Sequence, residues 1–137
     1  MAKFAMAFVA GALALASPAF AYEVGDTISL TEPVIGCFKK EDAVGAMLKE
    51  TVEGRAAAVK FAIAIQREGL AFYKATGRDP ERFCDVISPA LKFRHRVMEI
   101  GHTTVSGGVF ICVRTILDDS GRLNTNPCMW VHMEKKQ

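Results

Sequence analysis

Four cysteines, Cys37, Cys84, Cys112 and Cys128, all lie downstream of a stretch that reads as an export leader. That combination limits the fold more than any other feature. The leader has three parts. Lys3 supplies a short positive start, Phe4 to Ala16 is apolar and uncharged, and Ser17-Pro18 breaks the helix before Ala19-Phe20-Ala21. Small residues at Ala19 and Ala21 predict cleavage before Tyr22, removing residues 1–21. The apolar run is shorter than the roughly 20 residues of a spanning helix, so a retained anchor is the weaker reading. The residue directly after the cleavage point is Tyr22 rather than a cysteine, which argues against a lipoprotein anchor. Ala56 to Ile65 is also apolar but short, and Lys60 interrupts it, so no stable membrane insertion is expected after cleavage. The short Ala-rich leader is of a bacterial kind, with the periplasm or the medium as the expected destination.

Cysteines of an exported chain meet an oxidising compartment and pair. Cleavage leaves 116 residues, 22–137, which suit a single small domain. A domain of that size buries roughly two-thirds of its unfolded surface, so its core is thin and crosslinks matter. Cys112 and Cys128 flank Asp118-Asp119-Ser120-Gly121-Arg122, a turn signal between two β-rich runs. A turn centred on Ser120 sets Cys112 opposite Cys128 across an antiparallel pair, close enough for a disulfide. Cys37, ahead of the helical region, is then left to pair with Cys84 behind it. Metal binding or thiol catalysis is the competing reading. The cysteines are widely spread and form no C-x-x-C, which favours structural disulfides.

Hydrophobic periodicity supplies the rest of the fold. Val24 to Leu30 alternates like a short half-buried strand, and Pro33 ends it. A helix is expected from Glu41 to Glu53, with Val44, Leu48 and Val52 in one apolar stripe and acidic residues at its start. Gly54 either separates this helix from a second, Arg55 to Lys74, or merely bends one long helix. On the second helix Ala58, Phe61, Ala62, Ile65, Gly69 and Phe72 share a face. Strands are expected at Leu91 to Ile100, Val109 to Leu117 and Met129 to Met133. The fold class is therefore α+β: an N-terminal strand, two helices or one bent helix, and then a three-stranded antiparallel meander held by two disulfides.

The last hairpin is the most suggestive surface. In the register above, Phe110 lies opposite Trp130, on the face of the Cys112–Cys128 bond, while Ile111 and Val113 point the other way beside Met129. Both faces are apolar. One packs under the helices. The other is either covered by the N-terminal strand, closing a small SH3-like barrel, or stands exposed for a partner. The candidate recognition surface is Phe110 and Trp130 with Arg94, Arg96 and Arg114 nearby, since aromatic and arginine residues dominate interface energies. Lys92, Arg94 and Arg96 form a basic row, which could suit a polyanion but reads better as a solvated strand face. With 17 basic and 15 acidic residues in the whole chain, the balance offers little pull on nucleic acid.

Catalytic signals are sparse. His95, His102 and His132 show neither H-E-x-x-H nor H-x-H spacing, so no metal site is expected. G-x-S-x-G, Ser-x-x-Lys and G-x-G-x-x-G motifs are also missing, and no cofactor is expected. The expectation is a non-enzymatic, disulfide-stabilised binding module, with a protein partner in the envelope or medium. Two alternatives stand beside it. One is a small periplasmic hydrolase pairing His102 or His132 with Glu99, Asp118 or Asp119. The other is a structural envelope component that associates through a sheet edge.

Overall fold

In the computed structural model, which describes residues 22–134, six strands form one antiparallel sheet and two helices pack on one side of it. The leader, residues 1–21, lies outside the described residues. The elements run β1 (Thr27–Ser29), β2 (Val34–Cys37), α1 (Lys40–Glu53), α2 (Arg55–Thr76), β3 (Cys84–Ile87), β4 (Arg94–Thr103), β5 (Val109–Thr115) and β6 (Met129–Met133). The strand order is β1-β4-β5-β6-β2-β3, and the sheet curls into a half-barrel. β1 pairs with β4 at one edge and β3 forms the other, so the barrel is half-formed rather than closed. The α+β class, the meander β4-β5-β6 and both disulfides follow the sequence reading.

Gly54 separates two helices. Its φ of 99° and ψ of 169° end the helical path, while its N–H still closes α1 by donating to the Glu50 carbonyl. Few non-glycine residues adopt that backbone. α2 ends at Gly77 in the left-handed region, a common helix stop.

The buried face of α1 differs from the expected stripe. Asp42, Ala43 and Ala46 face inward, whereas Leu48 and Val52 are exposed. The reason is close packing: short side chains let the helix approach the sheet. Gly45 makes room for the Phe61 ring, where a Cβ would stand 2.9 Å from the ring edge. On α2 Ala58, Ala62, Ile65 and Gly69 of the expected face are buried and Phe61 is half-buried, whereas Phe72, near the helix end, is exposed. Asp42 does more than favour a helix start. Arg82 Nε and Nη2 donate to its two carboxylate oxygens at 3.0 and 2.9 Å, tying the segment after α2 back to α1.

The sequence carries no strand signal at β2 or β3. They bracket the helices and pair with each other, and Cys37 sits directly opposite Cys84, with Cα atoms 4.1 Å apart. The Cys112–Cys128 bond also forms, but in a register two residues from the expected one. Cys112 lies opposite Trp130, and Phe110 opposite His132. Cys128 precedes β6 and reaches Cys112 diagonally, with Cα atoms 5.4 Å apart. The connecting loop folds back on β5 through an Ile116–Leu123 bridge and an Asn124 N–H bonded to the Thr115 carbonyl. A slip of two leaves every side chain on its original face, because strand side chains alternate with period two.

Both faces of the hairpin are sealed. On the helix side Phe110 packs with Cys37, Cys84, Ala58, Ala62 and Ile65. On the concave side Val97, Ile111, Val113 and Val131 form a second cluster, flanked by Ile28, Val34 and Ile87. Burying each such large side chain contributes about 1.5–3 kcal/mol.

Candidate functional site

The expected recognition surface divides into three. Phe110 is completely buried, its ring held between His102 and His132 at centroid distances of 4.9 and 5.0 Å. It belongs to the core and offers no surface to a partner, because α1 and α2 cover that face of the hairpin. Trp130 is half-buried at the border of the same core, with the Lys40 ammonium 5.4 Å above its ring. Arg94, Arg96 and Arg114 lie together on the outer face of β4 and β5; Arg96 and Arg114 are direct cross-strand partners.

The structure places its open apolar surface elsewhere. β3 is at one edge of the sheet and β4 is second from the other, so the connecting chain must cross the open side of the half-barrel. The crossing segment makes a short 3₁₀ turn over Pro89–Leu91 and then turns through Lys92, the one described non-glycine residue with positive φ. Beneath it lies a cavity of about 380 Å³, walled by Ile87, Val113 and Met129. Leu91, Phe93 and Leu117 stand at its rim, 69%, 45% and 41% exposed. The sequence placed Leu91 and Phe93 on the first meander strand beside His95. They precede β4, yet they keep the same side.

Asp85, Ser88, His95, Thr115, Asn124 and Asn126 add polar groups to the lining of this mouth, and two of these are closed off from solvent. His95 is only 3% exposed, and its Nδ1 lies 3.3 Å from the Thr115 hydroxyl. Burial holds its imidazole below the ordinary histidine value, so the ring is neutral at pH 7. Asn124 Oδ1 is shut off from solvent and has no hydrogen-bond partner. An apolar cavity with a few convergent polar groups is the usual form of a binding site, and barrel mouths are a common place for it. Sequence reasoning missed this site. Its one local signal was the paired apolar residues Leu91 and Phe93 beside a histidine.

A second cleft, about 460 Å³, lies between α1 and the end of β6 and includes His132, Glu50, Arg55 and Glu134. Two of its charged groups, Arg55 and Glu50, pair with each other. Arg55 Nη1 donates to Glu50 at 2.9 Å, and Arg55 Nη2 donates to the Pro33 carbonyl at 2.6 Å. Burial pushes the His132 imidazole down, partly offset by the charges of Glu134 and Glu50. Its Nε2 lies 3.4 Å from the Thr104 hydroxyl. Among the described residues no histidine hydrogen-bonds a carboxylate, so the His–Glu99, His–Asp118 and His–Asp119 pairs are not assembled. Asp118 instead accepts from Ser120 and Arg122, which holds its carboxyl well below the usual carboxylate range. Among the described residues no group of three His, Cys, Asp or Glu is placed to hold a metal.

No protein-family model matches the chain, and neither the curated proteins nor the solved structures contain a match. No helix among the described residues is long and apolar enough to cross a membrane. The two disulfides fit an oxidising compartment.

Proposed function

We propose that the protein is an exported, disulfide-stabilised binding module that works without covalent chemistry, and that its half-barrel mouth receives apolar side chains of a protein partner. The observation that carries this reading is the rim of Leu91, Phe93 and Leu117 around a cavity of about 380 Å³. Large apolar groups gathered in the open around a concavity mark interaction sites.

The test uses N-phenyl-1-naphthylamine, an uncharged fluorophore with one N–H donor, as a reporter of the mouth. Saturable one-to-one binding with blue-shifted emission is expected. Phe93→Ser/Leu117→Ser should weaken it about tenfold or more, in line with about 1.5–3 kcal/mol per buried apolar side chain, while the circular dichroism spectrum is unchanged. A protein captured by the native chain from an envelope extract should be released by the same fluorophore. Fluorophore binding that is absent, or indifferent to the rim substitutions, would overturn the reading.

A further inference from the structure

The outer face of β4 and β5, opposite the mouth across the same two strands, carries a charge arrangement that the packing leaves uncompensated. Arg96 and Arg114 are direct cross-strand partners, and Arg94 lies two residues along the same face. Facing residues in such a pair have backbones roughly 5.5 Å apart, and like charges placed so repel. Here, among the described residues, none of the three arginines makes an ion pair. The nearby Asp118 is bonded to Ser120 and Arg122. Asp26, beside β1, accepts the Glu23 N–H. Glu99, one step along the same face opposite Cys112, forms no ion pair with them.

The two cations are also held in place. Arg96 and Arg114 are half-buried, and the Nε of each is closed off from solvent with no acceptor. Gly121, in the turn after β5, comes close to Arg96, with a Cβ there 3.9 Å from Nη2. The helices pack mainly on β2, β3 and β6 and reach β5 at Phe110, near its start. Each guanidinium therefore has unspent charge and hydrogen-bonding capacity that only its Nη groups can deliver to a ligand.

We infer that Arg96 and Arg114 form a binding site for a tetrahedral oxyanion of the phosphate type, with Arg94 at its edge. A planar carboxylate is a monoanion with two oxygens and satisfies one guanidinium fork. A phosphoryl group carries close to two negative charges and three acceptor oxygens, so it can take N–H donors from two guanidiniums at once and cancel their repulsion. Both stems are half-buried, so part of their side-chain freedom is already lost before binding. The ligand is free phosphate or a phosphorylated molecule such as a phosphosugar. The site stands apart from the mouth and does not depend on it.

The experiment is calorimetric titration of the native protein with inorganic phosphate, glucose 6-phosphate and acetate at one ionic strength, with melting curves in parallel. Phosphate should bind saturably and raise Tm beyond chloride at equal ionic strength, with acetate much weaker. Glucose 6-phosphate binding more tightly than phosphate identifies a phosphorylated molecule as the source; the reverse identifies the free ion. Arg96→Gln or Arg114→Gln should weaken phosphate roughly tenfold or more, and Arg96→Lys, which keeps the charge but loses the fork, should also weaken it. Fluorophore binding at the mouth should be unchanged in these variants. The inference is overturned if phosphate acts no differently from chloride, if acetate equals it, or if the effect survives in folded Arg96→Gln/Arg114→Gln protein.

Discussion

Removing the Cys37–Cys84 crosslink with Cys37→Ala/Cys84→Ala opens a loop whose ends are 47 residues apart and which contains both helices. In the chain-entropy treatment that closure contributes about 4 kcal/mol, against about 3 kcal/mol for a loop the size of the Cys112–Cys128 one. The 16-residue separation of the second bond explains the smaller figure. Surroundings widen the gap. Cys37 and Cys84 are both sealed inside the helix-side core, so losing their sulfurs leaves voids at both ends, whereas of the other pair only Cys112 is sealed and Cys128, directly before β6, is half-buried. Domains of this kind have about 5–15 kcal/mol in total. The first double variant should therefore forfeit a quarter or more of its stability and melt roughly 15 °C lower, at about 4 °C per kcal/mol. Urea unfolding followed by circular dichroism, with Cys112→Ala/Cys128→Ala in parallel, measures both costs on one scale. The reasoning fails if Cys37→Ala/Cys84→Ala stays within about 1 kcal/mol of the native chain, or if it proves the more stable of the two variants. Non-reducing peptide mapping should show the same two bonds and no free thiol.

Phe110→Ala removes a completely buried ring and should cost about 3–5 kcal/mol in urea unfolding; a cost below about 1 kcal/mol would show that the core is not where the packing puts it. Gly69→Ala should destabilise by about 1–3 kcal/mol despite alanine's better helix propensity, because its Cβ would stand 2.7 Å from the Arg82 carbonyl oxygen, a backbone atom that cannot swing aside. Stability should fall as pH is lowered from 7.5 to 5.5. Burial depresses the His95 and His132 imidazoles in the folded state, so the unfolded chain takes up more protons once pH drops below about 6.5. His95→Gln/His132→Gln should flatten that slope in urea midpoints taken across the range. Asp118 acts only further down: its depressed carboxyl stabilises at neutral pH, and that share is lost as pH falls below about 4.

Much of the fold was readable because the signals are local. The Asp118 to Arg122 turn forms as its residues imply, with the Asp118 side chain accepting from Ser120 and Arg122. Gly54 and Gly77 end helices, and most of the α2 face follows its spacing. Four-residue strands with no alternation, Val34–Cys37 and Cys84–Ile87, left no comparable mark. They are strands only because each pairs with the other across the helical insertion. The stripe on α1 misled because apolar spacing says which residues share a face, not which face the sheet accepts. There the close approach of helix to sheet selected Ala43 and Ala46 over Leu48 and Val52.

The candidate site was legible only in fragments. Leu91, Phe93 and His95 stood out as one side of a strand, and the arginines as a row. That Phe110 would be enclosed rather than offered outward depended on where two helices settled. Composition, cysteine placement and turn chemistry by themselves determined an α+β chain with two specific crosslinks, because those features act between near neighbours or through covalent pairing. The curl of the sheet, the mouth under the Pro89–Leu91 crossing and the opposed pair Arg96 and Arg114 were decided by tertiary structure alone. Each depends on strand order and register, which are set by contacts between residues far apart along the chain.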